Sequence, residues 1–359
     1  MNLKTTDRLQ KLRQKLAEKE VDAIFISQPE NRYYLSGFDG SAGFLLVTPQ
    51  NAILATDFRY VEQAKKQSPD YEVFRIENDM ANWFPELLAG LGLQKLGFEA
   101  RHIAFATYRQ LNGILNKIQP SPKLIPLDGL VESLRAIKEP EEIQFITRAA
   151  EISDNAFKHI ESIIRIGMSE KEIAWEIEKF IRESGSEAVP FDIIAASGPN
   201  SALPHAKPSL RTIQAGEPVL FDIGAKVDGY SSDLSRSICL GTPDATFKKV
   251  YDIVLGAQLA AIVLIKEGMT GEQGDSLSRK MIEEAGYSEA FGHALGHGVG
   301  LAPHELPRLG RGSAEPLTSG MVFTIEPGIY LPGWGGIRIE DLVVIENSQI
   351  RVISKARKV

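Results

Sequence analysis

Cysteine is almost missing from this chain. Cys239 is the only one in 359 residues, so no disulfide can close within it, and a reducing compartment is the natural setting. Long apolar runs are missing too. The most apolar stretch, LAAIVLI at 259–265, lies between Gln258 and Lys266, far short of the roughly 20 residues a membrane span requires. There is no excess of positive charge: 40 Lys and Arg stand against 47 Asp and Glu, giving a formal charge of −7. That removes any electrostatic reason to bind nucleic acid or an anionic membrane surface. The first twenty residues, MNLKTTDRLQKLRQKLAEKE, are charged throughout and contain no apolar core of the kind a secretory leader needs. These absences predict a soluble cytoplasmic protein with neither nucleic acid nor membrane as a partner.

What is present is enough apolar material for a sizeable core, 43% of residues. The length suggests two domains. We expect a small α/β domain over 1–130 and a larger one over 131–359. In the first, Leu9, Leu12 and Leu16 recur at helical spacing. VDAIFIS (21–27), GFLLVT (43–48) and NAILAT (51–56) read as strands between Gly, Pro and Asn punctuation. In the second, Pro140 suits the first turn of a helix whose Glu139, Glu141 and Glu142 complement the N-terminal dipole. Ser169 and Glu172 form a capping-box pattern for the next helix.

The larger domain repeats itself. GMSEKE (167–172) is echoed by GMTGEQ (268–273), an offset of 101, and Leu203-Pro204-His205 by Ala302-Pro303-His304, an offset of 99. GEPVLFDIG (216–224) is echoed by GMVFTIEPG (320–328), which aligns Asp222 with Glu326, and Asp233 lies near Glu340 in the last matching pair. Four features in one order at nearly one offset predict two similar halves facing each other.

Strand parity then sorts the side chains, because alternate residues share a face. Asp222 faces away from Phe221 and Ile223, Asp233 away from Leu234, Glu326 away from Ile325, and Glu340 away from Ile339. Each acid is expected within an apolar strand, on a covered face. Four carboxylates gathered in a partly buried place repel one another and are costly to desolvate. Two divalent cations would balance them. His297, in GHGVG (296–300), adds an imidazole, and its small neighbours are expected to admit a metal closely. Oxygen-rich ligands with one imidazole favour hard or borderline ions, manganese first, with cobalt or zinc as alternatives, and disfavour copper or iron–sulfur sites. An Asp or Glu alone in a strand is more often half of an ion pair. The specific signal is the set: two Asp eleven residues apart, then GHGVG, then Glu326 29 residues past His297, then Glu340 14 further on.

The series FDIGA, SDLSR, GHGVG, TIEPG and RIED resembles the proline-peptidase branch of the pita-bread metallopeptidases, which includes aminopeptidase P and prolidase. GFDGSAGF (37–44) and TDFRY (56–60) resemble the creatinase/prolidase N-terminal domain. The resemblance implies an α/β (α+β) architecture in which a creatinase-like domain precedes a pita-bread catalytic domain with an internal pseudo-twofold repeat. It implies two divalent ions held by Asp222, Asp233, His297, Glu326 and Glu340, with Asp233 and Glu340 bridging. Glu326 would also shuttle a proton, and His304 would steady the substrate carbonyl. His205 and His293 would line the pocket, and Arg338 would stand beside the bridging glutamate. It further implies a proline-containing peptide substrate and a homodimer. Xaa-Pro aminopeptidase is the first expectation and Xaa-Pro dipeptidase the second, with a non-catalytic binding protein as a distant third. Outside these motifs, His102 and His159 read as surface or packing histidines, Cys239 as a buried inert thiol, and Trp334 in GWGG (333–336) as a turn residue covering apolar surface.

Overall fold

The computed structural model describes residues 5–358, and the chain divides into two compact units, Met1–Arg135 and Ala136–Val359. In the first unit, apolar alternation and Gly/Asn turns produce a six-stranded mixed sheet. Its spatial order is Glu72–Arg75, Ala52–Thr56, Phe44–Val47, Ala23–Ile26, Lys95–Glu99 and Lys123–Leu127. The three strands read from sequence are all there. The central one pairs antiparallel with Phe44–Val47 and parallel with Lys95–Glu99, so it is buried along its whole length. The amphipathic first helix, Thr5–Glu18, buries Leu9, Leu12 and Leu16 as its spacing predicts.

The second unit carries the repeat. Each half runs helix, capped helix, then antiparallel strands. In the first half the helices are Pro140–Ile163 and Glu170–Glu183, and the strands Ile194–Ser197, Pro218–Ile223 and Leu234–Cys239 form one three-stranded sheet. In the second half the helices are Ala245–Leu264 and Gly271–Glu284, and Val322–Ile325 and Asp341–Glu346 are the central pair of a five-stranded sheet. The halves reproduce one another bond by bond. Ser169 with Glu172 and Thr270 with Gln273 are both complete capping boxes. Gly167 N donates to Ile213 O, and Gly268 N to Leu317 O. Ile213 N returns to Met168 O, and Leu317 N to Met269 O. Each half also has its own core. Phe157, Ile177, Phe221 and Ile223 belong to one, and Val254, Ile282, Phe323 and Ile325 to the other. The core residues lie on the strand faces opposite the acids. Among the described residues no helix is long and apolar enough to cross a membrane.

Equivalent caps should contribute equally. Ser169→Ala and Thr270→Ala are each expected to cost about 1 kcal/mol in urea denaturation. A loss confined to one of the two would contradict the structural equivalence of the halves.

Candidate metal centre

Register brings the acids together. In the first half, Leu234 pairs with Ile223 and Ser235 with Asp222, so Asp233, one residue before the strand, stands next to Asp222. In the second, Ile325 pairs with Asp341, which sets Glu326, just past one strand, beside Glu340, just before the other. One oxygen from each of Asp222, Asp233 and Glu340 lies within 4.8 Å of the others. His297 joins them, its Nε2 3.2 Å from Glu326 Oε1 and 3.7 Å from Asp233 Oδ2. Asp233 and Glu340 are buried.

The expectation that every acid lies inside a strand is corrected. Only Asp222 does, while Asp233, Glu326 and Glu340 fall at strand ends. The physical reason is aim: regular pleating would point a side chain along a sheet face, whereas an interrupted strand lets the backbone turn a carboxylate towards a common point. A second correction concerns the glycines around His297. A Cβ on Gly296 would lie 2.0 Å from Thr324 O, and one on Gly298 2.0 Å from Leu306 O. Neighbouring backbone presses on both positions, which by itself requires glycine there.

The electrostatics are those of crowded anions. Burial and the neighbouring Glu340 and Asp222 charges push the Asp233 carboxyl well above its ordinary range. Burial and the charges of Glu326 and Asp222 do the same to Glu340. Glu326 goes the other way: burial would raise it, but the hydrogen bond and charge of His297 hold it down at about 2. That partnership lifts His297 to about 9 against the opposing effect of its burial.

Three observations fit divalent ions. Asp222 Oδ1 and Glu340 Oε1 are buried with no hydrogen-bond partner, a costly condition that a coordinated cation removes. Arg338 takes only the other oxygen of Asp222, Oδ2, at 2.6 Å. His297 Nδ1 lies 3.2 Å from Gly298 O. A carbonyl only accepts, so Nδ1 carries hydrogen and Nε2 is the ring nitrogen that faces the carboxylates, the one that is free to bind a metal once it gives up its proton.

The remaining residues surround this centre. His304 is exposed, its ring centroid 4.1 Å from that of His297, and burial together with the His297 charge lowers its pKa. His205 is exposed on the loop after Gly198–Ala202, and its charge also bears on His304. His293 is committed to neighbours: Nδ1 meets Ala294 O at 2.8 Å, and Nε2 meets the Tyr330 hydroxyl at 2.9 Å. Arg338 is buried and pairs directly with Asp222, and its charge also opposes the rise of Glu340. It also donates to Ser235 Oγ, Pro204 O and Tyr330 Oη.

Tyr330 and Thr324 were not singled out from sequence. Thr324 Oγ1 accepts from His297 N at 3.1 Å and donates to Glu326 Oε1 at 3.0 Å. Its strand parity with Glu326 was the available signal. Tyr330 had none, since its hairpin partners are known only from the fold. Outside the centre, His159 stacks on Phe180. Trp334 donates its indole N–H to Asp244, the N-cap of Ala245–Leu264. Cys239 is half-buried rather than buried, being the last residue of its strand.

Two duplicated α/β halves with an acid-rich centre between them define a metal-dependent hydrolase. The chain belongs to metallopeptidase family M24, which matches residues 144–347, and residues 8–137 match the creatinase/prolidase N-terminal domain. It is 37% identical to the Xaa-Pro dipeptidase of Pyrococcus furiosus over 98% of this chain and 99% of that one. It is also similar to two solved structures. The Xaa-Pro dipeptidase from Bacillus anthracis is 42% identical, with a TM-score of 0.95 over 99% of both chains. The X-Pro aminopeptidase from Thermotoga maritima is 37% identical, with a TM-score of 0.86 over 95% of this chain and 97% of that one. The architecture expected from the resemblance is thus borne out, and the protein is a metallopeptidase.

If the metal-free centre is held against repulsion, removing one charge should relieve it. Asp233→Asn is expected to melt no lower than the unaltered protein in chelator. Manganese at about 100 times its dissociation constant should add roughly 2.7 kcal/mol to the unaltered protein and much less to the variant. Calorimetry with and without the ion checks both.

Proposed function

We propose that the chain is an Xaa-Pro dipeptidase using two divalent ions, manganese first and cobalt or zinc as alternatives. The observation that carries this reading is the convergence of Asp222, Asp233 and Glu340 within 4.8 Å, with one oxygen each of Asp222 and Glu340 buried and unpartnered. Asp222, Asp233, His297, Glu326 and Glu340 would hold the ions. When bound, such ions supply Lewis acidity and a hydrolytic water reactive at neutral pH.

The chain's residues do the rest. A bond to proline leaves through a tertiary nitrogen with no N–H of its own, so that nitrogen must be protonated as it departs. Glu326, its carboxylate steadied by the Thr324 hydroxyl, takes a proton from the water and passes it to that nitrogen. His304, exposed beside His297, donates to the substrate carbonyl oxygen as negative charge develops there. His293 acts through Tyr330, and Tyr330 through Arg338, to keep the Asp222 carboxylate oriented. His205, on the exposed loop whose Pro204 O accepts from Arg338, lines the approach.

The sequence motifs put the aminopeptidase first, whereas the relatives favour the dipeptidase. The relatives from Pyrococcus furiosus and Bacillus anthracis, at 37% and 42% identity, both carry the name Xaa-Pro dipeptidase. Arg308 also pairs directly with His297 in the antiparallel ladder, so the two side chains share a face. Arg308 is exposed. A dipeptide ends in a carboxylate one residue from the scissile bond, and a guanidinium on that face suits it. A longer peptide has no charge there. The aminopeptidase remains the second reading because of the similarity to the Thermotoga maritima enzyme. We also propose a cytoplasmic homodimer.

Mass-spectrometric product analysis with Ala-Pro and Ala-Pro-Ala, each with manganese and each with chelator, tests the assignment. Cleavage of Ala-Pro alone, lost in chelator, is expected, whereas release of Pro-Ala from the tripeptide would establish the aminopeptidase. Asp233→Ala and Glu340→Ala should abolish turnover, and activity retained in either would defeat the two-ion assignment. Arg308→Met is expected to raise KM for Ala-Pro about 10-fold, in line with losing one charge-assisted contact. An unchanged KM would remove Arg308 from substrate recognition.

A further inference from the structure

Behind the acid cluster, on the core side of the same strands, lies a second set of charges. Strand parity puts Arg236 on the face of Leu234 and Ile238, and Asp341 on the face of Val343 and Ile345. These are apolar core faces, yet both charged side chains are about 1% exposed and paired at 2.7 Å. A buried ion pair is a poor route to stability, since apolar residues of similar volume often serve as well or better. Its value has to be sought in what its donors hold.

Arg236 spends its donors on the ground around Glu340. One nitrogen donates to the Glu340 carbonyl and to Ser235 O at 2.9 Å, and another to Asp341 Oδ1 at 2.7 Å and Ala356 O at 2.7 Å. Its Nε reaches Arg357 O at 3.1 Å. The other oxygen of Asp341, Oδ2, takes Lys358 Nζ at 2.5 Å and Gln258 Nε2 at 2.8 Å. The segment supplying Lys358 is itself tied down: Ser354 Oγ accepts from Leu342 N, and Asp154 accepts from Lys355 N and Ala356 N, at 2.8 to 2.9 Å. Glu340 lies in the break between the strands Gly335–Arg338 and Asp341–Glu346, where its N–H donates to Ser235 O at 3.1 Å and its carbonyl is held by Arg236.

We propose that Arg236, Asp341 and the segment Ser354–Lys358 form a clamp that holds the backbone break at Glu340 and so positions its carboxylate for metal binding. The clamp supplies from behind the rigidity that the interrupted strand lacks. Its members are positioning residues, and none is a candidate ligand. This role rests on the proposed metal assignment of Glu340.

The test is isothermal titration of the full-length metal-free protein with manganese chloride, with steady-state kinetics on Ala-Pro alongside. Lys358 is partly exposed, so Lys358→Ala is the first variant, and Asp341→Asn, which keeps side-chain volume, is the second. Each should weaken manganese binding about 10-fold or more, the usual effect of losing an outer-shell partner. Each should also lower kcat with little change in KM. Lys358→Arg should restore most of the affinity, and Arg148→Ala, at an exposed pair with Asp228, should bind like the unaltered protein. Unaltered affinity in both Lys358→Ala and Asp341→Asn, even with a lower melting temperature, would overturn the clamp. Absence of manganese binding in the unaltered protein would overturn the metal assignment, and the clamp would fall with it.

Discussion

Four carboxylates converging on one partly buried point are the constraint on which the catalytic unit is built. Each alone would be satisfied by solvent or by one cation partner. Together, burial and then their mutual repulsion raise the proton affinity of Asp233 and Glu340. A chain that keeps such an arrangement needs positive charge delivered from outside the carboxylate set. Part of it is built in, since Arg338 pairs with Asp222 at 2.6 Å. The unpartnered oxygens of Asp222 and Glu340 mark what is still owed.

Duplication makes this concentration of charge geometrically simple. Each half contributes a pair of adjacent strands, and each strand pair presents two acids at neighbouring ends of its ladder. The same helix, cap and return hydrogen bonds are reused in both halves, so two copies of one unit produce a four-acid centre without any long loop reaching across. The halves differ where chemistry requires it. The ladder containing His297 exists only in the second half, and the core-facing position occupied by Leu234 in the first half is taken by Asp341 in the second. That substitution turns an apolar contact into an anchor for Arg236.

Much of this was legible beforehand because it depends on local rules. Strands over 23–26, 44–47 and 52–56 follow from apolar runs with turn residues between them, and the Ser169 cap from its spacing to Glu172. The core faces opposite Asp222 and Asp233 follow from period two alone. The four acids and the histidine of the candidate centre stand out because the motifs recur in order. The errors share one cause, the side-chain environment contributed by distant segments. Gly296 and Gly298 seemed to make room for an ion, but Thr324 and Leu306 occupy that room. The hydrogen bond of Arg338 to Asp222, across the repeat, is likewise invisible in sequence. Tyr330 carried no sequence signal, because its links to His293 and Arg338 exist only when the hairpin is folded against the loop before His297.

The sequence by itself determined the class of fold, the twofold internal repeat and the acids and imidazole available to a metal, since periodicity, capping and repeat spacing act over a few residues or through simple duplication. Only the tertiary structure decided which oxygen of Asp222 is left for a cation, which histidines are committed to neighbours, and how a break in a strand is held so that Glu340 points inward. Those outcomes depend on distances between groups a hundred residues apart, and electrostatic and hydrogen-bond energies change steeply over an ångström or two.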